Sequence, residues 1–359
     1  MSEPRLVDVA KRAGVSVGTV SRVINGVPEV TPELRTRVEA AIDELGYRPN
    51  SLARSFRRQR SSTLGLVIPD VTAPFFAELA KHIEAAALKL NYTLLLGNAM
   101  YSPELERVYL NTLADRRVDG LIIVPSTSVN PVSSREQAKV VVVDRELPGM
   151  DIVSSDHRGG AVAAVEYLLG LGHTLIACIA GAQDLPPLRE RYHGYLDTVA
   201  PVFAEHGVEV QNFVRTGPWD YQFGYEAAQS LLGESSARPT AIFCSSDQQA
   251  IGALRACADL GLDVPRDLSV IGYDDIPLAD LVMPRLTTVR QPIEAIARQA
   301  LDQLVSRLAA PGKRRRRIFL PTELIVRASC AAPQRRPVRS APKRTVTPAK
   351  TQRQGVSPT

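Results

Sequence analysis

The sequence has few aromatic residues and few cysteines. Only 5% of its 359 residues are Phe, Trp or Tyr, and it contains a single Trp. The four cysteines show no CxxC spacing, so we expect neither a zinc site nor a disulfide framework, and the apolar runs around Cys178 and Cys244 predict core thiols. No stretch approaches the ~18 consecutive apolar residues of a membrane span, and the N-terminus lacks the basic-then-apolar order of a signal peptide. These absences predict a cytoplasmic protein that is neither exported nor inserted in a membrane.

Charge is distributed unevenly along the chain. Residues 1–61 contain 11 Lys/Arg against 7 Asp/Glu, residues 62–310 contain 19 against 30, and residues 311–359 contain 13 against 1. Basic ends around an acidic body indicate a polyanionic partner that is bound by the ends. The same distribution also fits a solvated tail that only keeps the protein soluble.

The first sixty residues have the pattern of short consecutive helices. An apolar face begins at Leu6 and ends at Gly14, Ser16 is suited to cap a second helix, and Thr31-Pro32 is suited to begin a third that ends at Gly46. Two helices joined by a tight Gly-containing turn are typical of a helix-turn-helix domain. We therefore predict an all-α DNA-binding domain over residues 1–48.

From residue 62 onward, apolar runs alternate with amphipathic helical patterns. This alternation predicts an α/β core with parallel sheets covered by helices on both faces. Because the stretch is long for one sheet, we expect two similar halves, residues 62–158 with 290–318 and residues 159–289 with 319–332. Residues 333–359 contain seven Lys/Arg, no Asp/Glu and little to bury, and they predict a basic disordered tail.

Twenty adjacent positions, residues 7–26 (VDVAKRAGVSVGTVSRVING), resemble the lactose/galactose-repressor family of bacterial transcription regulators. So do GYRPN at residues 46–50 and Ala53-Arg54. Body motifs follow in the same register to about residue 330, among them GLVIPD at residues 65–70, SSD at 245–247 and GYDD at 272–275. The resemblance implies a periplasmic-binding-protein-like core of two parallel-sheet subdomains behind the helix-turn-helix domain.

A helix-turn-helix places its second helix in the major groove, where the N-terminal residues of that helix reach base edges. Hydroxyl groups suit phosphates or bases, Arg22 can bind guanine or phosphate, and Val17 can touch a thymine methyl group. Residues 16–22 also fit a capped helix that only packs. The predicted DNA contacts in this domain are Leu6, Ser16, Val17, Gly18, Thr19, Ser21, Arg22, Asn25 and Tyr47.

Residues 49–61 match a second DNA element of the family, a hinge helix that folds on the minor groove. Asn50, Ala53 and Arg54 fit its motif, whereas Phe56 stands where the family usually has the Leu that inserts between base pairs. Phenylalanine can also intercalate and kink DNA. The alternative is a flexible basic linker that is held by phosphate attraction alone.

The resemblance also implies a ligand bound between the two halves of the core. Carboxylates and Arg can hold sugar hydroxyls through paired hydrogen bonds, and an aromatic face can stack on a sugar ring. For Trp219, core packing is an equal alternative, and Asp247 fits a helix cap equally well; Ser246 stands where some relatives have Asn. The candidate effector-binding residues are Phe75, Phe76, Asp144, Arg191, Trp219, Ser246, Asp247 and Asp274.

Three function classes compete: a ligand-responsive transcription regulator, an exported solute receptor, and a sugar-active enzyme on the same fold. A receptor needs an export signal and has no helix-turn-helix. No GxxxxGK[ST], GxGxxG or HExxH motif is present to indicate an enzyme. We predict a homodimeric repressor that binds double-stranded operator DNA in the nucleoid, responds to a small effector such as a sugar, and needs neither metal nor cofactor.

The basic tail and the recognition helix are expected to contribute differently to DNA binding. Deleting residues 333–359 should weaken binding to operator and to random DNA by similar factors and flatten the salt dependence, because phosphate contacts carry no sequence information. Arg22→Ala should instead lose discrimination between the two, by roughly 1–3 kcal/mol if Arg22 contacts a base. Binding isotherms in a salt series, on cognate and scrambled duplexes, measure both. A tail deletion that abolished cognate preference and left random-DNA affinity unchanged would contradict this division.

Overall fold

The computed structural model describes residues 4–24, 27–47, 61–127, 132, 139–233, 238–310, 312 and 314–334. The N-terminal domain consists of α1 (Leu6–Ala13), α2 (Val17–Ile24) and α3 (Pro32–Leu45). Val9, Val20 and Val38, one from each helix, are fully buried in its small core. This confirms the predicted helical domain.

Local capping explains where these helices begin and end. Gly14 has the left-handed φ of 64° that ends α1, and the Ser16 hydroxyl accepts a hydrogen bond from the Thr19 N–H at 3.1 Å at the start of α2. Thr31 caps α3, and Gly46 ends it at φ 60°. The Arg37 guanidinium donates to the Ala13 carbonyl at 2.6 Å, which ties α3 to the turn between α1 and α2.

The first lobe is built on a six-stranded sheet within the described residues. Its strands are β1 (Thr63–Ile68), β2 (Thr93–Asn98), β3 (Gly120–Ile123), β4 (Val140–Val143), β5 (Asp151–Ser155) and β11 (Arg317–Leu320), in the order β11-β5-β4-β3-β1-β2. The strands pair in parallel, and β3, β4 and β5 are buried along their whole length. Helices α4 (Pro74–Lys89), α5 (Pro103–Asp115) and α10 (Ile293–Ala309) contact this sheet.

The second lobe repeats this topology. Its strands are β6 (Ile176–Ala180), β7 (Val214–Thr216), β8 (Ala241–Cys244), β9 (Ser269–Asp274), β10 (Thr287–Arg290) and β12 (Glu323–Ile325), in the order β12-β10-β9-β8-β6-β7. Of these strands, only β12 is antiparallel to its neighbour. Helices α6 (His157–Gly170), α7 (Pro186–Glu205), α8 (Tyr221–Gly233) and α9 (Asp247–Asp259) complete the lobe. Three chain segments connect the lobes, one after β5, one after β10 and one after β11.

The structure differs from the expected halves at one boundary. We expected the second half to resume at residue 319, but β11 continues to Leu320 and pairs with β5 of the first sheet. The strands β5, β7, β11 and β12 were missed because they are short and contain polar residues. In β5, the carboxylate of Asp151 is buried and paired with Arg307, so a polar residue occupies a fully buried strand.

The cysteine thiols are free, and Cys178, Cys244 and Cys257 are buried in the second lobe, as predicted for core side chains. Burial raises the pKa of Cys257 to about 12, so this thiol is not a reactive thiolate at neutral pH. Within the described ranges, no helix is both long and apolar enough to span a bilayer.

The close packing of α8 against α9 depends on a missing side chain. A Cβ at Gly252 would lie 2.1 Å from the Tyr221 carbonyl oxygen and 2.7 Å from the Tyr225 nitrogen, both of which are backbone atoms that cannot rotate away. We therefore expect Gly252→Ala to lower the free energy of unfolding by roughly 1–3 kcal/mol. Gly170→Ala is the matched control, because its Cβ would meet nothing within 4 Å. It should be neutral or stabilising by up to about 1 kcal/mol in urea denaturation. Equal effects of the two changes would contradict the packing argument.

Candidate DNA interface and interlobe ligand site

The outward face of α2 displays the residue types expected for DNA contact. Ser16, Val17, Gly18 and Arg22 are exposed, and Val17 is 40% exposed although it is apolar. The Arg22 guanidinium lies beside Gly18, since a Cβ added to that glycine would be 3.9 Å from Arg22 Nη2. An exposed strip of hydroxyl, methyl and guanidinium groups on one helix can contact phosphates and base edges together.

The other predicted contacts of this domain lie nearer its core. Thr19 and Ser21 are half-buried, and Leu6 and Tyr47 pack against the domain core. Asn25, Asn50, Ala53, Arg54 and Phe56 lie outside the described residues, so their roles stay predictions. Residues 14–18 also spell GxSxG, the hydrolase nucleophile motif, which sequence reasoning missed. Here Ser16 caps a helix and does not follow a strand, so the motif carries no hydrolase geometry.

The chain enters the first lobe through a carboxylate clamp. Asp119 accepts hydrogen bonds from the Ser61 N–H at 2.7 Å and from the Ser62 N–H at 2.9 Å. Asp119 directly precedes β3, whose other end leads to Pro125 and Ser126 at the interlobe cleft. One buried strand therefore connects the entry point of the DNA-binding segment to the cleft.

The two lobes face each other across the carboxyl ends of their parallel strands. Asp144 follows β4 of the first lobe, and Asp274 ends β9 of the second, at corresponding positions of the two sheets. Both have positive φ, 67° for Asp144 and 111° for Asp274, which is unfavourable for a side chain other than Gly. Strained backbone of this kind is concentrated at functional sites, so these carboxylates are favoured as site residues.

A buried polar network connects these two carboxylates across the lobes. The Asp144 Oδ1 lies 3.2 Å from His157 Nε2, and the Arg191 Nε donates to His157 Nδ1 at 3.4 Å. Since Nδ1 accepts, Nε2 carries the proton and donates to Asp144. Arg191 Nη1 then pairs with Asp274 Oδ1 at 3.0 Å and donates to the Ser245 carbonyl at 2.6 Å. Asp144, His157 and Arg191 are each at most 6% exposed.

The second interlobe connection extends this network. Gln291, just after β10, donates from Nε2 to Asp274 Oδ1 at 2.7 Å and accepts from the Ser155 hydroxyl at 2.7 Å. Ser155 ends β5 of the first lobe. Both connecting segments therefore contribute polar groups to the same cluster, and a relative movement of the lobes must rearrange it.

Burial and charge shift the two carboxylates in opposite directions. For Asp144, burial opposes ionisation, but the hydrogen bond and charge of His157 outweigh it and the pKa is lowered. For Asp274, burial raises the pKa although Arg191 opposes the shift. The cleft thus combines carboxylate and guanidinium groups that can hold hydroxyl groups through paired hydrogen bonds.

An aromatic cluster forms the other side of the cleft. Trp219 follows β7 of the second lobe, and its ring centroid lies 5.9 Å from Phe76 and 5.7 Å from Tyr101 of the first lobe. Phe75 stacks edge-on against Phe76 at 5.3 Å, and both are largely buried in the first-lobe core. Trp219 is half-buried, so it remains the cluster member with a face available to a ligand.

Two candidates have their side chains engaged within the second lobe. Asp247 is fully buried and accepts hydrogen bonds from the Ile276 N–H at 2.8 Å and from the Thr288 hydroxyl. Burial, followed by the neighbouring Asp274, raises its pKa well above the usual value. Ser246 is the actual cap of α9, accepting from Gln249 N–H and donating to the Trp219 carbonyl. We reassign both residues as supports of the Asp274 and Trp219 loops, in place of direct ligand contacts.

Sequence reasoning missed four cleft residues: Tyr101, Arg145, His157 and Gln291. For His157 the sequence favours a surface or helix-end position; it is the first residue of α6, yet it is 5% exposed. Arg145 and Gln291 each directly follow the end of a strand pattern, which is the signal that could have indicated them.

The support role of Asp247 has a measurable consequence. Thr288→Val removes the hydroxyl donor and leaves part of a fully buried carboxylate unsatisfied, so we expect a loss of roughly 1–3 kcal/mol in the free energy of unfolding. Thr112→Val is the matched control, since its exposed hydroxyl only donates to the Val108 carbonyl of its own helix. Urea denaturation should show the control within about 0.5 kcal/mol of wild type. Unchanged stability of the Thr288 variant would reject the support role.

Two family models match the chain: bacterial regulatory proteins of the lacI family at residues 5–50, and a periplasmic binding protein-like domain at residues 165–330. The Ribose operon repressor of Escherichia coli (strain K12) is 36% identical over 330 residues, covering 90% of this chain and 98% of that protein. The crystal structure of the Lac repressor dimer bound to operator and the anti-inducer ONPF is similar at a TM-score of 0.81 and 27% identity, covering 92% of this chain and all of that one.

A structure of the transcriptional regulator CelR in complex with cellobiose is 32% identical, with a TM-score of 0.65 over 91% of this chain and 99% of the other. The resemblance found in the sequence is therefore confirmed over nearly the whole chain. The helical domain displays a DNA-facing strip, and the core places polar and aromatic groups between two lobes. The chain belongs to the lacI family of bacterial regulatory proteins and is a DNA-binding transcription regulator with a ligand-binding core, not an enzyme.

Proposed function

We propose that this regulator is a homodimeric repressor whose affinity for operator DNA is set by a sugar-like ligand bound between its lobes. The observation that carries the proposal is the buried network from Asp144 through His157 and Arg191 to Asp274, which links both lobes at the cleft. The similar Lac repressor structure is a dimer on operator, and the CelR structure holds cellobiose. The compartment that follows is the cytoplasm, at the nucleoid.

DNA reading is assigned to the exposed face of α2. Arg22 supplies a guanidinium for guanine or phosphate, Ser16 supplies a hydroxyl, and Val17 supplies an apolar surface for a thymine methyl group. One such module buries little surface, so tight and specific binding requires two modules on two half-sites. Residues 49–61, including Phe56, are proposed to complete the interface in the minor groove.

Exposed apolar residues support the dimer. Leu96 on the edge strand β2 and Met100 just after it are 46% and 62% exposed, and in the second lobe Leu281 and Met283 are 74% and 95% exposed. Several large apolar residues in the open on both lobes favour burial against a second copy. An isologous pairing would also bring the two helical domains to related half-sites.

The coupling between ligand and DNA is proposed to run through β3. A ligand that favours one arrangement of the lobes shifts the polar network at the cleft, and Asp119 at the far end of β3 holds Ser61 and Ser62, where the DNA-binding segment enters the core. A coupling free energy of about 1–3 kcal/mol changes operator affinity by about fivefold to 150-fold.

Trp219 provides the test of ligand binding, because it is the only Trp in the chain and it lies at the cleft. Titration with the correct sugar should change its emission and, over the same concentration range, change operator affinity measured by footprinting, with protection related by two-fold symmetry. Arg191→Gln should abolish both responses, because it removes the Asp274 and His157 contacts.

Arg266→Gln is the matched control, an arginine that is 57% exposed and paired only with neighbouring aspartates. It should titrate like wild type. Protection of a single asymmetric half-site would contradict the dimer. An emission change that leaves operator affinity constant at saturation would contradict effector control.

A further inference from the structure

Arg145 is a buried arginine with an unpaired edge. It follows Asp144 after β4, is 1% exposed, and donates from Nη1 to the Pro125 carbonyl. Its Nε and Nη2 atoms are buried and have no hydrogen-bond partner among the described residues. The Nε–H and Nη2–H of a guanidinium point in the same direction, so this arginine leaves open the edge that binds carboxylate or phosphate with two hydrogen bonds.

The position of Arg145 places this edge at the interlobe cleft. Its guanidinium carbon lies 5.8 Å from the ring centroid of Trp219, which belongs to the other lobe. The hydroxyl of Ser126, the residue after Pro125, is also buried without a partner among the described residues. Two orphaned donors on adjacent strand ends therefore lie beside the aromatic cluster that a ligand would contact.

The nearby carboxylates are engaged elsewhere. Asp144 pairs with His157, Asp274 pairs with Arg191, and Glu106 accepts from the Ser126 N–H. Within the described part of the chain, none of them lies within ion-pair distance, 4.0 Å, of Arg145. Burial raises the pKa of Glu106, which favours its neutral form and leaves the arginine charge less compensated.

A buried guanidinium without a counter-ion is costly, and here the cost is concentrated at a ligand site. We propose that the Nε–Nη2 edge of Arg145, together with the Ser126 hydroxyl, binds an oxyanion of the effector. The effector is then a sugar bearing a carboxylate or phosphate group, and its neutral parent sugar binds weakly. This inference rests on the proposed function, because it assigns the ligand class of the same cleft.

The test compares neutral sugars with their acidic derivatives on the full-length protein. The probes are ribose against ribose 5-phosphate, glucose against glucose 6-phosphate and glucuronate, and inorganic phosphate alone, followed by calorimetry and Trp219 emission. At least one acidic sugar should bind about tenfold or more tightly than its neutral parent, since a hydrogen-bonded charge pair is of that strength. The phosphate and glucuronate arms distinguish the two oxyanions.

Variants at Arg145 separate recognition from general stability. Arg145→Gln should lose the preference for the acidic sugar, and Arg145→Lys should recover part of it, because it keeps the charge and loses the paired edge. Arg307→Gln is the matched control, a buried arginine outside the cleft that pairs with Asp151. It should bind the preferred sugar as wild type does, while lowering Tm.

A second readout needs no ligand. Arg145→Met should leave Tm unchanged or raise it, because it replaces an unpaired buried charge with an apolar side chain, whereas Arg307→Met should lower Tm by leaving Asp151 unpaired. The inference is overturned if no acidic probe is preferred over its neutral parent, if the preference survives in Arg145→Gln, or if Arg145→Met lowers Tm as much as Arg307→Met. A neutral sugar that binds and changes operator affinity would overturn this inference alone and leave the proposed function standing.

Discussion

The structure depends most on how charge is kept buried between the two lobes. Asp144, His157, Arg191 and Asp274 lie where both parallel sheets end, and each is bonded to the next. Buried charges are tolerated only when they are paired, and removing one partner of such a set is far more costly than the net stabilisation by the intact set. Because its members come from both lobes and from the connecting segments, the network is satisfied in only certain arrangements of the lobes. A ligand that exchanges hydrogen bonds with it can therefore select between them.

The supports around this network explain why few side chains are free to contact a ligand. Asp247 holds the backbone after Asp274, and Ser246 holds the Trp219 carbonyl while it caps α9. Tyr273 lies under the Arg191 guanidinium at 3.8 Å and donates to the His157 carbonyl. Each ligand-facing group is thus oriented by a buried neighbour that does not face the ligand, which fixes its geometry before binding.

The two ends of β3 join the halves of the molecule's function. At its start Asp119 fixes the backbone of Ser61 and Ser62, and beyond its end Pro125 accepts from Arg145. A rigid, fully buried strand transmits displacement better than a surface loop, because its neighbours β1 and β4 leave it no room to deform. The cleft and the DNA-binding segment are therefore connected by packing alone.

The amino-acid sequence by itself determined the helix-turn-helix domain, the alternation of buried strands and helices, and the family, because caps, periodicity and twenty adjacent signature residues are local properties. It also indicated Asp144, Arg191, Trp219 and Asp274. It did not distinguish Ser246 and Asp247, which follow the same strand end but are turned to other partners by long-range contacts with residues 219, 276 and 288. Nor did it single out Arg145, because only the tertiary structure decides which side of a buried guanidinium finds an acceptor.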